Sequence, residues 1–158
     1  MDIAFSLNLP SDLAIFFGII ASALSFSKGI YEYIRQGNEK RALNFFKLEH
    51  EFFSNQSNVL ICKLIEDDSS DLLIISYEDK VKFLGFMEQI ALLVNSKLLS
   101  LEVACYVYGY YVLKCNDSVN FWSNNMDKGS EFWNLFFSFL KKIEQIDIKK
   151  INPNNLKF

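Results

Sequence analysis

"SYEDKVKFLGFMEQIALLVNS", residues 76–96, is the stretch whose reading settles the fold class. Ser76 stands three residues before Asp79, a spacing at which a hydroxyl and a carboxylate can serve the free N–H groups of a helix start, with Asp in place of the usual Glu. Phe83, Phe86, Ile90 and Val94 then recur at steps of three and four, which puts them on one helical stripe. Asn95-Ser96 closes the run. The spacing predicts a helix over 77–94.

The same punctuation extends downstream. Ser100 is placed to cap a helix over "LEVACYVYGYYVLKC", residues 101–115, which Asn116-Asp117 ends. Residues 117–130 read as a connector. Ser130-Glu131 opens "EFWNLFFSFLKKIEQ", residues 131–145, whose Lys141-Lys142 pair lies near the end where cations suit the helix dipole. Residues 146–158 read as a tail, ordered only where it docks. Upstream, a helix is expected over 59–66 and "EDDSSD", 66–71, breaks it. "LLIIS", 72–76, is a short apolar run that periodicity cannot assign to strand or helix. Residues 32–58 show apolar Ile34, Ala42, Phe45, Phe46, Phe52 and Phe53 against charged faces. Arg35/Glu39 and Lys47/Glu51 stand at i,i+4 spacing, and Gly37-Asn38 is a candidate kink or break.

Composition agrees with a helical protein. Of 158 residues 51% are hydrophobic and 16% aromatic, too apolar for a disordered chain. Six Gly and two Pro are too few for a turn-rich all-β fold. The expectation is an all-α protein, a bundle of four to five helices. A net charge of -3 argues against nucleic acid as a partner, since a phosphate backbone calls for a concentrated basic surface.

"SDLAIFFGIIASALSFSKGIYEYIRQ", residues 11–36, raises the question of a membrane. Residues 13–27 carry no charge. That is shorter than the roughly 20 residues a bilayer core requires. Lys28 can snorkel and Tyr31 and Tyr33 suit an interface, which lengthens the span to residue 31. Pro10, Ser11 and Asp12 read as a helix start. Lys28, Arg35, Lys40, Arg41 and Lys47 all follow the stretch and no Lys or Arg precedes it. The positive-inside rule then gives a single-pass helix with a cytoplasmic C-terminal side. Ala14, Gly18 and Ser22, spaced by four, are a candidate helix-association face through which two copies would pack. The alternative is a soluble bundle whose first helix lies in a partner or a dimer core. The expected organisation is 1–29 as the N-terminal segment, 30–145 as the helical domain and 146–158 as the tail.

Little here points to chemistry. Cys62, Cys105 and Cys115 are widely spaced, form no CxxC, and read as buried reduced thiols. His50 is the sole histidine and lacks a second ligand at helical spacing, so no metal is expected. "LIEDDSSD", 64–71, lacks the spacing and the glycine of a calcium loop. No phosphate-binding, dinucleotide-binding or nucleophile-elbow motif occurs. Glu88, among apolar neighbours in "FMEQIALLV", is a possible buried polar site. Tyr106, Tyr108, Tyr110 and Tyr111 are candidate donors to it, Tyr110 foremost. A structural hydrogen bond that fixes helix register, or plain exposure, is the competing reading of Glu88.

Residues 82–115, the "FW" at 121–122 and "EFWNLFFSFLKKIE" resemble a group of short uncharacterised bacterial proteins. These pair an N-terminal membrane helix with a small helical domain. Glu88 after an aromatic-rich segment, Leu98-Leu99 at a turn, and Gly109-Tyr110-Tyr111 in a helix carry the likeness, which covers about residues 30–145. The resemblance implies a bundle with an anchor at the bacterial inner membrane; a cytoplasmic location is the alternative. It implies no catalytic residue, cofactor or small-molecule substrate. The expected function is non-catalytic, through contacts with other proteins or with copies of itself, as a scaffold, sensor or effector.

Overall fold

The computed structural model describes residues 9–124 and 126–156, and within them the side chains at 9–16, 18, 19, 21 and 23 lie outside the description. The described residues are helical and hold no strand. The main helices are α1 (Leu9–Ser54), α2 (Gln56–Glu66), α3 (Tyr77–Asn95), α4 (Leu101–Ala104), α5 (Tyr110–Asp117) and α6 (Asn134–Glu144). A π-helical turn, Cys105–Gly109, joins α4 to α5 without a break. The chain divides into two units, Met1–Lys40 and Arg41–Phe158, where the sequence places its boundary at 29/30.

Caps explain most of the helix ends. Ser76 Oγ accepts the Asp79 N–H at 3.1 Å and donates to Asp79 Oδ2 at 2.7 Å. The shorter Asp thus closes its box on the hydroxyl. The α3 terminus is a Schellman turn: Lys97 takes a left-handed φ of 57°, Leu98 N–H reaches Leu93 O, and Lys97 N–H reaches Val94 O. Ser100 Oγ accepts from Val103 N–H at the start of α4. Asn55 Oδ1 accepts from Ser57 and Asn58 N–H groups, so α2 opens at Gln56, three residues before the expected start.

Two expectations need correction. Ser11 and Asp12 do not mark the start of α1, which is already under way at Leu9 and Pro10. Gly37-Asn38 does not break it. A Cβ at Gly37 would meet nothing within 4 Å, so that glycine costs only its helix propensity, about 1 kcal/mol, and Arg35 pairs with Glu32 and Glu39 across the same turns. "LLIIS" is neither strand nor α-helix. Ser70–Leu73 is a 3-10 turn that buries Leu72 and leaves Ile74 in solvent.

Among the described residues the buried core lies within 41–158. Phe52 is fully buried, with ring centroids at 4.5 Å from Phe86, 5.6 Å from Tyr108 and 5.9 Å from Phe83. These contacts bind the C-terminal turns of α1 to α3 and the π-turn. Helix α6 buries Phe136, Phe139, Leu140 and Ile143, an i, i+3, i+4, i+7 stripe. A second aromatic group surrounds Trp122, which lies 5.7 Å from Phe137 and 6.5 Å from Trp133 and donates its indole N–H to Cys115 O. Lys80 is buried. Its ammonium donates to the carbonyls of Asn120 and Phe121 and lies over the Phe121 ring, which pins the connector to α3. Residues 146–156 dock: Ile146, Ile148, Ile151 and Leu156 pack on the core.

Among the described residues no helix is long and apolar enough to cross a membrane. The expected span at 13–27 falls largely on side chains outside the description.

Candidate functional site

Glu88 is half-buried on α3, and its Oε1 accepts the Phe136 N–H at 3.3 Å. Phe136 lies in the first turn of α6, where N–H groups have no partner within the helix. Trp133, at the N-cap position of α6, gives no side-chain cap. Glu88 therefore caps α6 from across the bundle and sets a negative charge against the positive end of its dipole. Burial raises its carboxyl above the ordinary range, and the Phe136 N–H opposes that rise. A cleft of about 480 Å³ lies beside it, with Tyr77, Val81, Asp127, Ser130 and Trp133 in its walls. Asp127 is engaged with Gly129 N–H, and Ser130 with Phe132 N–H.

Tyr110 lies elsewhere. It is 47% exposed, stands edge-on to Tyr111, and has the Lys114 ammonium 5.9 Å from its ring centre. It lines a different groove, with Leu113, Ile143 and Ile148. Glu88 and Tyr110 are not brought together. Tyr108, another candidate donor, is fully buried against Phe45, Phe52, Phe53 and Phe86, and its hydroxyl has no hydrogen-bond partner among the described residues. Burial raises its phenol, with Glu49 adding to the effect.

Of the candidate association face, Ala14 and Gly18 lie outside the described side chains, and Ser22 is exposed. The three cysteines are free and buried. Burial pushes the Cys62 thiol up to about 12 and the Cys105 thiol up to about 11, with Glu66 and Glu102 adding to it. Neither is a nucleophile at neutral pH. His50 faces the Ser54 hydroxyl at 3.4 Å, and no cluster of three or more metal-ligating side chains occurs among the described residues.

Two features were missed at the sequence level. Asp68, in the stretch expected only to break the helix before it, accepts from Ser118 Oγ and from the Val119 and Asn120 N–H groups, while Asn120 donates its amide back to Asp68 O. The other is a groove of about 420 Å³ between α1, α3 and the Leu98-Leu99 turn. Phe45, Leu48, Leu92, Leu93, Leu98 and Leu99 form its walls, and Arg41, Asn44 and Gln89 supply its polar groups. The Leu98-Leu99 pair had been noted as a turn, but its partner wall lies some fifty residues earlier.

Along the first unit large apolar side chains stand in solvent. Phe17, Leu24 and Tyr31 are 61–67% exposed, and Phe26 and Tyr33 are 72% and 81% exposed. Phe17, Leu24 and Tyr31 recur every seven residues on one face. Phe26 and Tyr33 share the opposite face, nine residues or two and a half turns from Phe17 and Leu24.

No family model matches the chain, and no match was found among curated proteins or solved structures.

Proposed function

We propose that this is a membrane-anchored, non-catalytic helical protein that acts through protein–protein contacts, as a scaffold, sensor or effector. Its helical domain would lie on the cytoplasmic side of a bacterial inner membrane. The observation that carries the reading is the exposure of large apolar side chains on two opposite faces of α1 between residues 17 and 34. Large apolar side chains on opposite faces of one helix call for an apolar surrounding on both, not a single core-facing seam. The charge distribution supports an orientation: Lys28, Arg35, Lys40, Arg41 and Lys47 all follow the uncharged stretch. The resemblance noted across residues 30–145 points the same way.

A second reading has one observation in its favour: no described helix is long and apolar enough to cross a membrane. The same exposed residues would then pack against a protein partner or a second copy, with Ala14, Gly18 and Ser22 at the closest approach of two helices.

Alkaline carbonate washing of bacterial membranes separates the two. The full chain is expected to resist extraction, and a shortened chain beginning at Lys28 is expected in the soluble fraction. If the full chain is extracted, the anchor is lost as an explanation. Chemical cross-linking of the soluble species, with Gly18→Ile as the comparison, then tests self-association.

A further inference from the structure

We propose that the cleft beside Glu88 binds a methylated ammonium group, with the Glu88 and Asp127 carboxylates supplying the charge and Tyr77, Phe132 and Trp133 the aromatic surface. The inference stands apart from the anchor, since every residue lining the cleft lies within the unit 41–158.

The volume, about 480 Å³, falls in the range of small-molecule sites. Glu88 and Asp127 are the charged residues that line the cleft, and no Lys or Arg does. Each carboxylate has one oxygen on a backbone donor, the Phe136 N–H for Glu88 and the Gly129 N–H for Asp127. Among the described residues the second oxygen of each accepts no hydrogen bond, and the ion pairs there engage neither group. Lys82, the nearest cation before Glu88 in sequence, pairs with Glu78. Lys128, beside Asp127, gives its ammonium to Asn116 O. The cleft therefore presents two charges that no side chain neutralises, and the local field favours a cation. The aromatic walls decide which kind. Tyr77 and Phe132 are 55% and 85% exposed and meet no other ring among the described residues, while Trp133 is nearly buried. A ring face attracts a cation electrostatically, and the attraction grows as water is removed. A methylated ammonium suits both walls: its charge answers the carboxylates, and its methyl groups pack on the rings without calling for hydrogen-bond acceptors. A divalent metal ion does not suit them. Calcium and magnesium call for about six or more oxygen ligands, and no group of three metal-ligating side chains occurs among the described residues.

The test uses the full chain, in maltoside micelles or in buffer according to where it fractionates. Choline is titrated and tryptophan emission is followed, since Trp133 lines the cleft and Trp122 stands 6.5 Å from it. A saturable change is expected, with choline about tenfold tighter than its uncharged isostere 3,3-dimethylbutan-1-ol. Sodium chloride at the same ionic strength is expected to compete weakly. Glu88→Gln combined with Asp127→Asn keeps the oxygen that each backbone N–H uses and is expected to remove the preference for choline. Phe132→Ala, at an exposed position, is expected to weaken choline several-fold while the circular dichroism melt stays unchanged. No saturable response to choline in the folded wild type would overturn the site. Equal binding of choline and the isostere, or a preference that survives the double substitution in a folded chain, would overturn the role of the carboxylates. Full choline affinity in Phe132→Ala would overturn the aromatic wall. Sodium or ammonium competing as well as choline would leave only an acidic patch and overturn the methylated ligand.

Discussion

Glu88 and Asp68 titrate in opposite senses, and each makes a prediction of its own. Burial holds the Glu88 carboxyl above its ordinary range. The folded chain therefore keeps that proton at pH values where the unfolded chain has released it. The resulting stability is complete below the unfolded pKa, about 4.3, and is lost as pH rises through the folded value. Glu88→Gln keeps an oxygen for the Phe136 N–H and removes the titration. Its urea-unfolding stability at pH 7 is expected to equal or exceed that of the wild type, by less than about 1 kcal/mol, with a flatter pH dependence above pH 4. Parallel pH curves for the two chains would contradict this account. Asp68 behaves conversely: the Ser118 hydroxyl above all, and the Val119 and Asn120 N–H groups, hold its carboxyl below the ordinary range. Its contribution is present above the unfolded pKa and is lost as pH falls through the folded one. Asp68→Asn suits the left-handed φ of 49° at that position, so it isolates the carboxylate. It is expected to cost about 1–3 kcal/mol at neutral pH in the same unfolding assay. The Ser76–Asp79 cap was legible because its partners are three residues apart. The partners of Glu88 and Asp68 lie about fifty residues away, and no local spacing reveals them.

At the scale of elements, the π-turn decides how the C-terminal segment sits. Gly109 closes that turn, and a Cβ there would come within 2.9 Å of Ile148 Cδ1 and 3.5 Å of Ile143 Cγ2. The nearer atom is the end of a flexible side chain, so Gly109→Ala is expected to displace residues 146–156 while the bundle remains folded. Faster proteolysis within 146–156 with a stability loss of about 1 kcal/mol or less is the expected outcome. Unchanged cleavage would mean that Ile148 has other room. Helices α3 and α6 were legible because their apolar residues repeat at helical spacing between recognisable caps. The starts of α1 and α2 were not. Asn55 separates the two helices, and its side chain caps the second at Gln56. "LLIIS" carried no period to read, and its 3-10 turn is set by tertiary burial of Leu72.

At the scale of the molecule, the all-α class followed from scarce Gly and Pro and from the helical repeats. The division at residues 40/41 did not, because α1 runs through it with no change in secondary structure. The core of residues 41–158 draws on α1 only from Phe45 onward. A shortened chain beginning at Lys28, used in the extraction test, is therefore expected to keep a cooperative thermal transition. The groove beside Arg41 was beyond sequence reading for the same reason as the Asp68 contacts: its walls come from separate parts of the chain.

The two tryptophans stand in one aromatic group, on the connector and at the start of α6. Their emission reports on that corner, and residues 1–40 contain no tryptophan. Circular dichroism, in contrast, weighs every helical residue, α1 included. The two spectroscopies thus observe different parts of this chain. Coincident melts would mean that its helices unfold together, while a circular dichroism change that precedes the fluorescence change would mean that part of the helical structure comes apart first.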